Sequence, residues 1–390
     1  MNETTRRGLL QAPAPLDCDS YDVVVVGARV AGAATALHLA RAGHNVLIVD
    51  RAGPPADTTS THALMRTGTL ALRQAGVLDT IIAAGTPPIR EINLVFGDER
   101  VSFPVADAHG VDAYYAPRRT VLNPILLQAA IDAGASFVPE VSVNGVSWDN
   151  RGPVDGITVR DGAPIPARWV IGADGTQSRV ARSVNAPLLR YHPPSNALVY
   201  GYFEGVDRPG YDFRFVDQRN VGAIPTNDGR TVLFVGGPLA EAPRDGESYL
   251  MATLARLAPD LVGNGKRVGR LYRAYGIPSV LRDPAGPGWS LVGDAGFTED
   301  PISAHGITDA LRDAVLCAEA IDRSRRDPAD ETEAQAAYRQ TRDSFALPLL
   351  DRIVDLASYR WDGPKASRLL RELGEIADAE CELLSESILA

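Results

Sequence analysis

The chain has 390 residues, 45% apolar and 23% charged, a composition that suits a globular protein of one large or two modest domains. A formal charge of −10 argues against a nucleic-acid partner, which usually needs a basic face. No apolar stretch is long enough to cross a bilayer, and three scattered cysteines without a C-x-x-C pair offer neither a disulfide framework nor a zinc site.

Residues 1–20 carry Arg6 and Arg7 but no apolar segment before Tyr21, so they read as a flexible tail rather than a signal peptide. A reducing, cytoplasmic setting is the simple expectation. Val23–Gly27 is a continuous run rich in β-branched residues, the pattern of a buried parallel strand. The Ala/Leu-rich residues 30–42 predict a tightly packed helix closed by Gly43, and Val46–Asp50 a second buried strand. Together they make one βαβ unit. Residues 61–85 look helical. Short strands follow at Ile92–Phe96 and Val101–Val105, then an amphipathic helix over 119–133 with Leu122, Leu126 and Ala130 on one face. Strands are expected at 137–148, 154–160 and 165–172.

Between 195 and 240 the character changes to antiparallel strands joined by turns, with aromatic residues concentrated there. Helix returns at 246–260. A strand at 289–293 leads into a Gly/Pro-containing loop and a helix from about 305 to 324. The rest, 331–390, is mostly helical with a turn at "WDGPKA". The fold class is therefore α/β: a discontinuous Rossmann-like domain over 21–90, 110–185 and 275–330, an inserted, mostly antiparallel β domain over 91–109 and 186–274, and a helical C-terminus over 331–390.

The βαβ turn reads Gly27-Ala28-Arg29-Val30-Ala31-Gly32, where a dinucleotide fingerprint would be G-x-G-x-x-G. Gly27 allows the tight turn and Gly32 the close helix–strand packing; only the middle glycine is replaced. The helix N-terminus still offers free N–H groups and a positive dipole end to a pyrophosphate. Asp50 falls 23 residues after Gly27, at the end of the second strand, where it can accept bonds from a ribose. Taken alone, the pattern also fits a strand–turn–helix with glycines for packing.

Two later stretches sharpen it. "VIGADGTQSRVAR" (170–182) runs a strand into Gly172 and Asp174-Gly175. "WSLVGDAGFTEDPISAHGITDALRDA" (289–314) runs a strand into Gly293-Asp294, then Pro301, then Gly306 opening a helix. In this order the three motifs resemble the flavoprotein monooxygenases of the p-hydroxybenzoate hydroxylase type, over nearly the whole chain from Tyr21 to about residue 325. The resemblance implies FAD as the bound dinucleotide. On it, Gly27, Arg29, Ala31, Gly32, Asp50 and Arg51 would meet the ADP half. Arg119 would contact the flavin, with Arg118 as a competing candidate and Arg66 as a further cofactor residue. Asp174 would lie near both FAD and the nicotinamide reductant, although a helix-capping role also suits it. Gly293 and Asp294 would hold the ribityl chain, and Pro301, Gly306 and Ile307 would border the ring. The chain departs from the family in having Ala295-Gly296 where relatives often have Ala-His, and Thr308 where Asn is frequent.

The function implied is hydroxylation of an aromatic or polyketide-like small molecule by O2 through a flavin C4a-hydroperoxide, with NAD(P)H or a partner flavin reductase supplying electrons. The helix opening at Gly306 would stabilise anionic reduced flavin, and a dry pocket would protect the hydroperoxide. Pro301, His305 and Gly306 are the candidate catalytic positions. Tyr200, Tyr202, Phe213, Phe215 and Phe234 are candidates for an aromatic substrate lining, although alternating aromatics in strands also form core. Halogenases of this fold have a W-x-W-x-I-P motif and a lysine after the first βαβ unit; here the only lysines are Lys266 and Lys365 and the tryptophan pair is missing. A flavin-dependent reductase of an isoprenoid double bond and a non-catalytic flavin-binding partner protein are the alternatives. Phe345, Leu349, Leu350, Ile353 and Leu356 could serve a homodimer or pack within a monomer.

Overall fold

A computed structural model describes residues 20–53, 58–149 and 152–386. The expected tail, apart from Ser20, and Cys18 lie outside the described residues. The β-branched run forms strand Tyr21–Val26 within a parallel layer ordered Trp289–Leu291, Ile165–Gly172, Tyr21–Val26, Val46–Val49, Ser136–Val138. Val24 sits beside Leu47 on one flank and Val170 on the other. Both faces of this layer are covered, so Val23, Val24 and Val25 are at most 1% exposed. Helix Val30–Arg41 packs on it, and its alanines let helices Arg119–Asp132 and Gly306–Arg326 lie close against it. An antiparallel hairpin, Val143–Trp148 with Val154–Val159, pairs with Ile165–Gly172.

The second sheet has seven strands in the order Lys266–Tyr275, Asn196–Glu204, Arg230–Pro238, Arg219–Thr226, Tyr211–Val216, Glu91–Phe96, Glu99–Pro104. All neighbours are antiparallel except Tyr211–Val216 and Glu91–Phe96, which run parallel. Helices Glu331–Ala357 and Gly363–Ser385 close the chain, the second capped by Asp362, which accepts from the Lys365 N–H at 2.9 Å. Leu349, Leu350, Ile353 and Leu356 are fully buried in a core that includes Phe215, Leu281 and Trp361, so they pack on their own chain; Phe345 is half-buried.

The expected helix over 61–85 begins only at Arg66; it runs to Gln74 and is followed by Leu78–Ala83. Residues 60–64 are instead fixed by tyrosine hydroxyls of the second sheet. Ser60 N–H donates to Tyr200 Oη at 2.8 Å, His62 Nε2 is hydrogen-bonded to Tyr202 Oη at 2.5 Å, and Leu64 N–H donates to Tyr211 Oη at 3.2 Å. Tertiary hydrogen bonds override local helix propensity here. Among the described residues no helix is long and apolar enough to cross a membrane, and no group of His, Cys, Asp and Glu is placed to hold a metal ion.

Candidate active site

A continuous cleft of about 780 Å³ runs past the carboxyl ends of the parallel strands. One part of its wall is Gly27, Arg29, Ala31, Asp50 and Arg51; another is Pro301, Ala304, His305, Gly306 and Ile307. Gly27 has φ +113°, and a Cβ there would lie 2.4 Å from the Ala173 carbonyl oxygen. Only glycine fits such a turn. A Cβ on Gly32 would meet the Gly27 carbonyl oxygen at 1.8 Å, so this position too is set by close packing. Arg29 is different. It has φ −85° and ψ −168°, extended backbone open to any residue, and it is the N-cap of helix Val30–Arg41. Its exposed side chain brings a cation to the cleft at the positive end of that helix.

Asp50 accepts the Ala28 N–H at 2.8 Å through one oxygen and the Ala52 N–H at 2.9 Å through the other. These bonds fix the carboxylate and leave about two of its four acceptor positions for a ligand. Asp174 accepts from the N–H groups of Arg179 (2.6 Å) and Val180 (3.4 Å) at the start of the short helix Arg179–Ser183, whose N-cap is Ser178. It also lines the cleft, and its Oδ1 has no hydrogen-bond partner among the described residues. Arg119 faces the cleft, its Nε donating to Asn123 at 3.1 Å. Arg118 turns elsewhere: its guanidinium lies 4.6 Å from the Tyr202 ring centre and 3.0 Å from Asp228.

The turn at Gly293 joins three elements. Its φ is +54°, its added Cβ would stand 2.9 Å from that of Ala31 and 3.3 Å from that of Ala310, and its N–H donates to Asp313 at 3.2 Å. The next residue, Asp294, opens onto the cleft. Its side chain is exposed within the cleft, whose enclosing walls push its carboxyl above the usual range, and the Arg119 and Arg29 charges oppose that rise. Asp300 accepts from Asn196 Nδ2 at 2.8 Å and Ile302 N–H at 3.0 Å, while burial holds its carboxyl up at about 6. His305 is the N-cap of helix Gly306–Arg326 and makes no side-chain cap bond. It is buried, and burial lowers its pKa, keeping the ring neutral at pH 7.

Several expected residues stand outside this wall. Gly32 and Gly293 act from beneath it by packing. Arg66 is turned away because the carbonyls of Val111 (2.8 Å) and Ala108 (3.4 Å) accept from its guanidinium, which lies over Tyr114. None of the five expected aromatics lines the cleft. Tyr200 and Tyr202 stand behind it, bonded to Ser60 and His62 of its wall. Phe213 lies between Tyr211 and Phe234, and Phe215 packs on Phe96 and Trp361, each at 5.8 Å. Rings on strands that another layer covers are sealed into core. Conversely, Ser60, His62, Ile277 and Glu299 are in the wall without having been expected there. Glu299 had a visible signal, an acid pair with Asp300 between the Gly293-Asp294 turn and Pro301; residues 58–63 had none.

A profile of the FAD binding domain family matches residues 20–200. A menaquinone reductase from Mycolicibacterium smegmatis is 30% identical over 330 residues, covering 76% of this chain and 75% of that protein. A kynurenine 3-monooxygenase from Xanthomonas campestris pv. campestris is 28% identical over 365 residues, covering 84% of this chain and 76% of its own. Among solved structures, PqsL, a probable FAD-dependent monooxygenase from Pseudomonas aeruginosa, superimposes with a TM-score of 0.78 at 22% identity, covering 90% of this chain and 100% of that one.

Proposed function

The chain belongs to the FAD-binding flavoprotein monooxygenase family typified by p-hydroxybenzoate hydroxylase and is an FAD-dependent oxidoreductase; on that premise we propose that it hydroxylates an aromatic or polyketide-like small molecule with O2. NAD(P)H or a partner flavin reductase would supply the electrons. FAD fits the residues present: a glycine turn that no side chain could enter, a carboxylate at Asp50 with acceptor positions to spare, and cations at Arg29 and Arg119. Gly27 and the first N–H groups of helix Val30–Arg41 would hold the pyrophosphate, Asp50 the ribose, Asp294 the ribityl hydroxyls. Bound FAD supplies the redox chemistry that no side chain here can perform.

One observation carries the reading. The N-terminus of the 21-residue helix Gly306–Arg326 opens onto the cleft with no side-chain cap, beside the Pro301 turn. Its free N–H groups and positive dipole end stabilise negative charge developing there. Buried His305 and Ile307 keep that part of the wall poor in water, which raises the strength of those interactions. A substrate would approach past His62, Ile277 and Ala304 of the cleft wall.

The test is a flavin spectrum of the purified protein, followed by NAD(P)H consumption with a panel of phenols, with and without O2. Substrate-stimulated, oxygen-dependent consumption and a hydroxylated product are expected. A preparation that refuses added FAD would sink the whole reading. Similarity to a menaquinone reductase favours a second reading, a reductase rather than an oxygenase, for which we propose an isoprenoid double bond as the group reduced. It predicts turnover of a prenylated quinone without O2.

A further inference from the structure

Behind Pro301–Gly306 the interior holds four acids and two bases. Arg312, fully buried, donates to Asp309 at 2.6 Å, to Asp313 at 2.9 Å and to Glu380 on the C-terminal helix. His305 Nε2 lies 3.8 Å from the second oxygen of Glu380 and has no hydrogen-bond partner among the described residues. The fourth acid is Glu299, 7% exposed. Its Oε1 accepts from Ser303 Oγ at 2.8 Å, and its Oε2 has no partner among the described residues.

Charge balance singles Glu299 out. With a neutral imidazole, one guanidinium would face four carboxylates. An interior with that excess negative charge relieves it by keeping a proton. Asp309, Asp313 and Glu380 are each bonded to Arg312; Glu299 is the acid that Arg312 does not touch. It is also the one of the four that lines the cleft.

We propose that Glu299 carries a proton at neutral pH and donates it to the group bound beside Pro301 and Gly306. The donor role rests on the redox reading of the cleft; the protonation does not. In the step the Glu299 O–H bond breaks, the proton bonds to an oxyanion or carbanion of the bound reactant, and the carboxylate regains a proton from a water at the cleft mouth, whose hydroxide passes to bulk solvent. Burial, then Asp309, and also Asp294, raise the Glu299 pKa, against the Ser303 hydroxyl and Arg312. Asp309 is itself raised by burial, with Glu380 and Asp313 adding to the rise against Arg312.

The first measurement is infrared difference spectroscopy of the purified protein, wild type minus E299Q, across pH. A protonated-carboxyl C=O band is expected at pH 7, absent in E299Q. In D309N, which removes the neighbouring charge, that band should vanish at a lower pH than in wild type. Its absence from wild type at pH 7 overturns the proposal. The second is turnover: E299Q should lose about 100-fold in kcat, the scale of one positioned proton donor, with FAD affinity and KM within about threefold of wild type. A band with unchanged kcat in E299Q leaves a protonated Glu299 but overturns its role as donor. A wild-type protein that takes up no FAD overturns the redox reading and the donor role together, while the infrared result still decides the protonation.

Discussion

The hydroxyl of Tyr202 lies 2.5 Å from Nε2 of His62, a residue 140 positions earlier in the chain. His62 is 1% exposed, has φ +72° and lines the cleft. The bond holds a strained backbone in place from the second sheet. Tyr202→Phe removes the hydroxyl and leaves a buried ring nitrogen unpaired, which costs about 1–3 kcal/mol. Chemical denaturation should show that loss with an unchanged m-value.

The same histidine sets a pH dependence. Burial first, then the Arg119 and Arg118 charges, push its pKa well below 6.5. The unfolded chain therefore binds the proton first as pH falls. This contribution to stability is full above about 6.5 and is lost below it. His44 and His305 are lowered too, chiefly by burial, and add to the loss. On going from pH 7 to pH 5 the melting temperature of His62→Gln should change less unfavourably than that of wild type, which isolates this histidine from the carboxyls that titrate in the same window.

Asp300 acts with the opposite sign. Its carboxyl, normally at 3.8, is held up at about 6 by burial. Its contribution is full below 3.8 and lost as pH rises through 6, a swing of roughly 2–3 kcal/mol at 1.36 kcal/mol per unit. Asp300→Asn keeps the oxygen that accepts from Asn196 and Ile302. The variant should match wild type near pH 4 and exceed it at pH 8, read from melts at both values.

Gly27→Ala places a Cβ 2.4 Å from backbone oxygen at φ +113°. Strain of this kind costs on the order of 1–3 kcal/mol or more. The variant should melt lower and purify with less flavin; full flavin content would mean that the turn does not shape the pyrophosphate site.

Arg119 and Arg118 are adjacent in sequence and separated in role. Arg119→Met should weaken FAD binding by about tenfold, or ~1.4 kcal/mol. Arg118→Met, removing the cation over Tyr202, should leave FAD affinity within about threefold and lower stability instead. Equal losses of affinity in a fluorescence titration would refute the assignment of Arg119 to the cleft.

The sequence by itself determined the βαβ unit, the three glycine-and-aspartate turns and most of the helices, but not strands Leu188–His192, Lys266–Tyr275 and Ser279–Arg282. Those signals are local: a β-branched run buries a strand, and a turn such as Gly27 takes a positive φ that other residues rarely adopt. Arg29 could replace the middle glycine because its backbone is ordinary, a fact of dihedral angle and not of residue type. Only the tertiary structure decided which side of the second sheet its aromatics face, and that three tyrosine hydroxyls would pull residues 60–64 out of a helix into the cleft wall. It alone brought Glu380 from the C-terminal helix onto Arg312. Pairings across 68 to 147 residues leave no periodicity to read, because the partner that satisfies a buried polar group is chosen by packing and not by spacing along the chain.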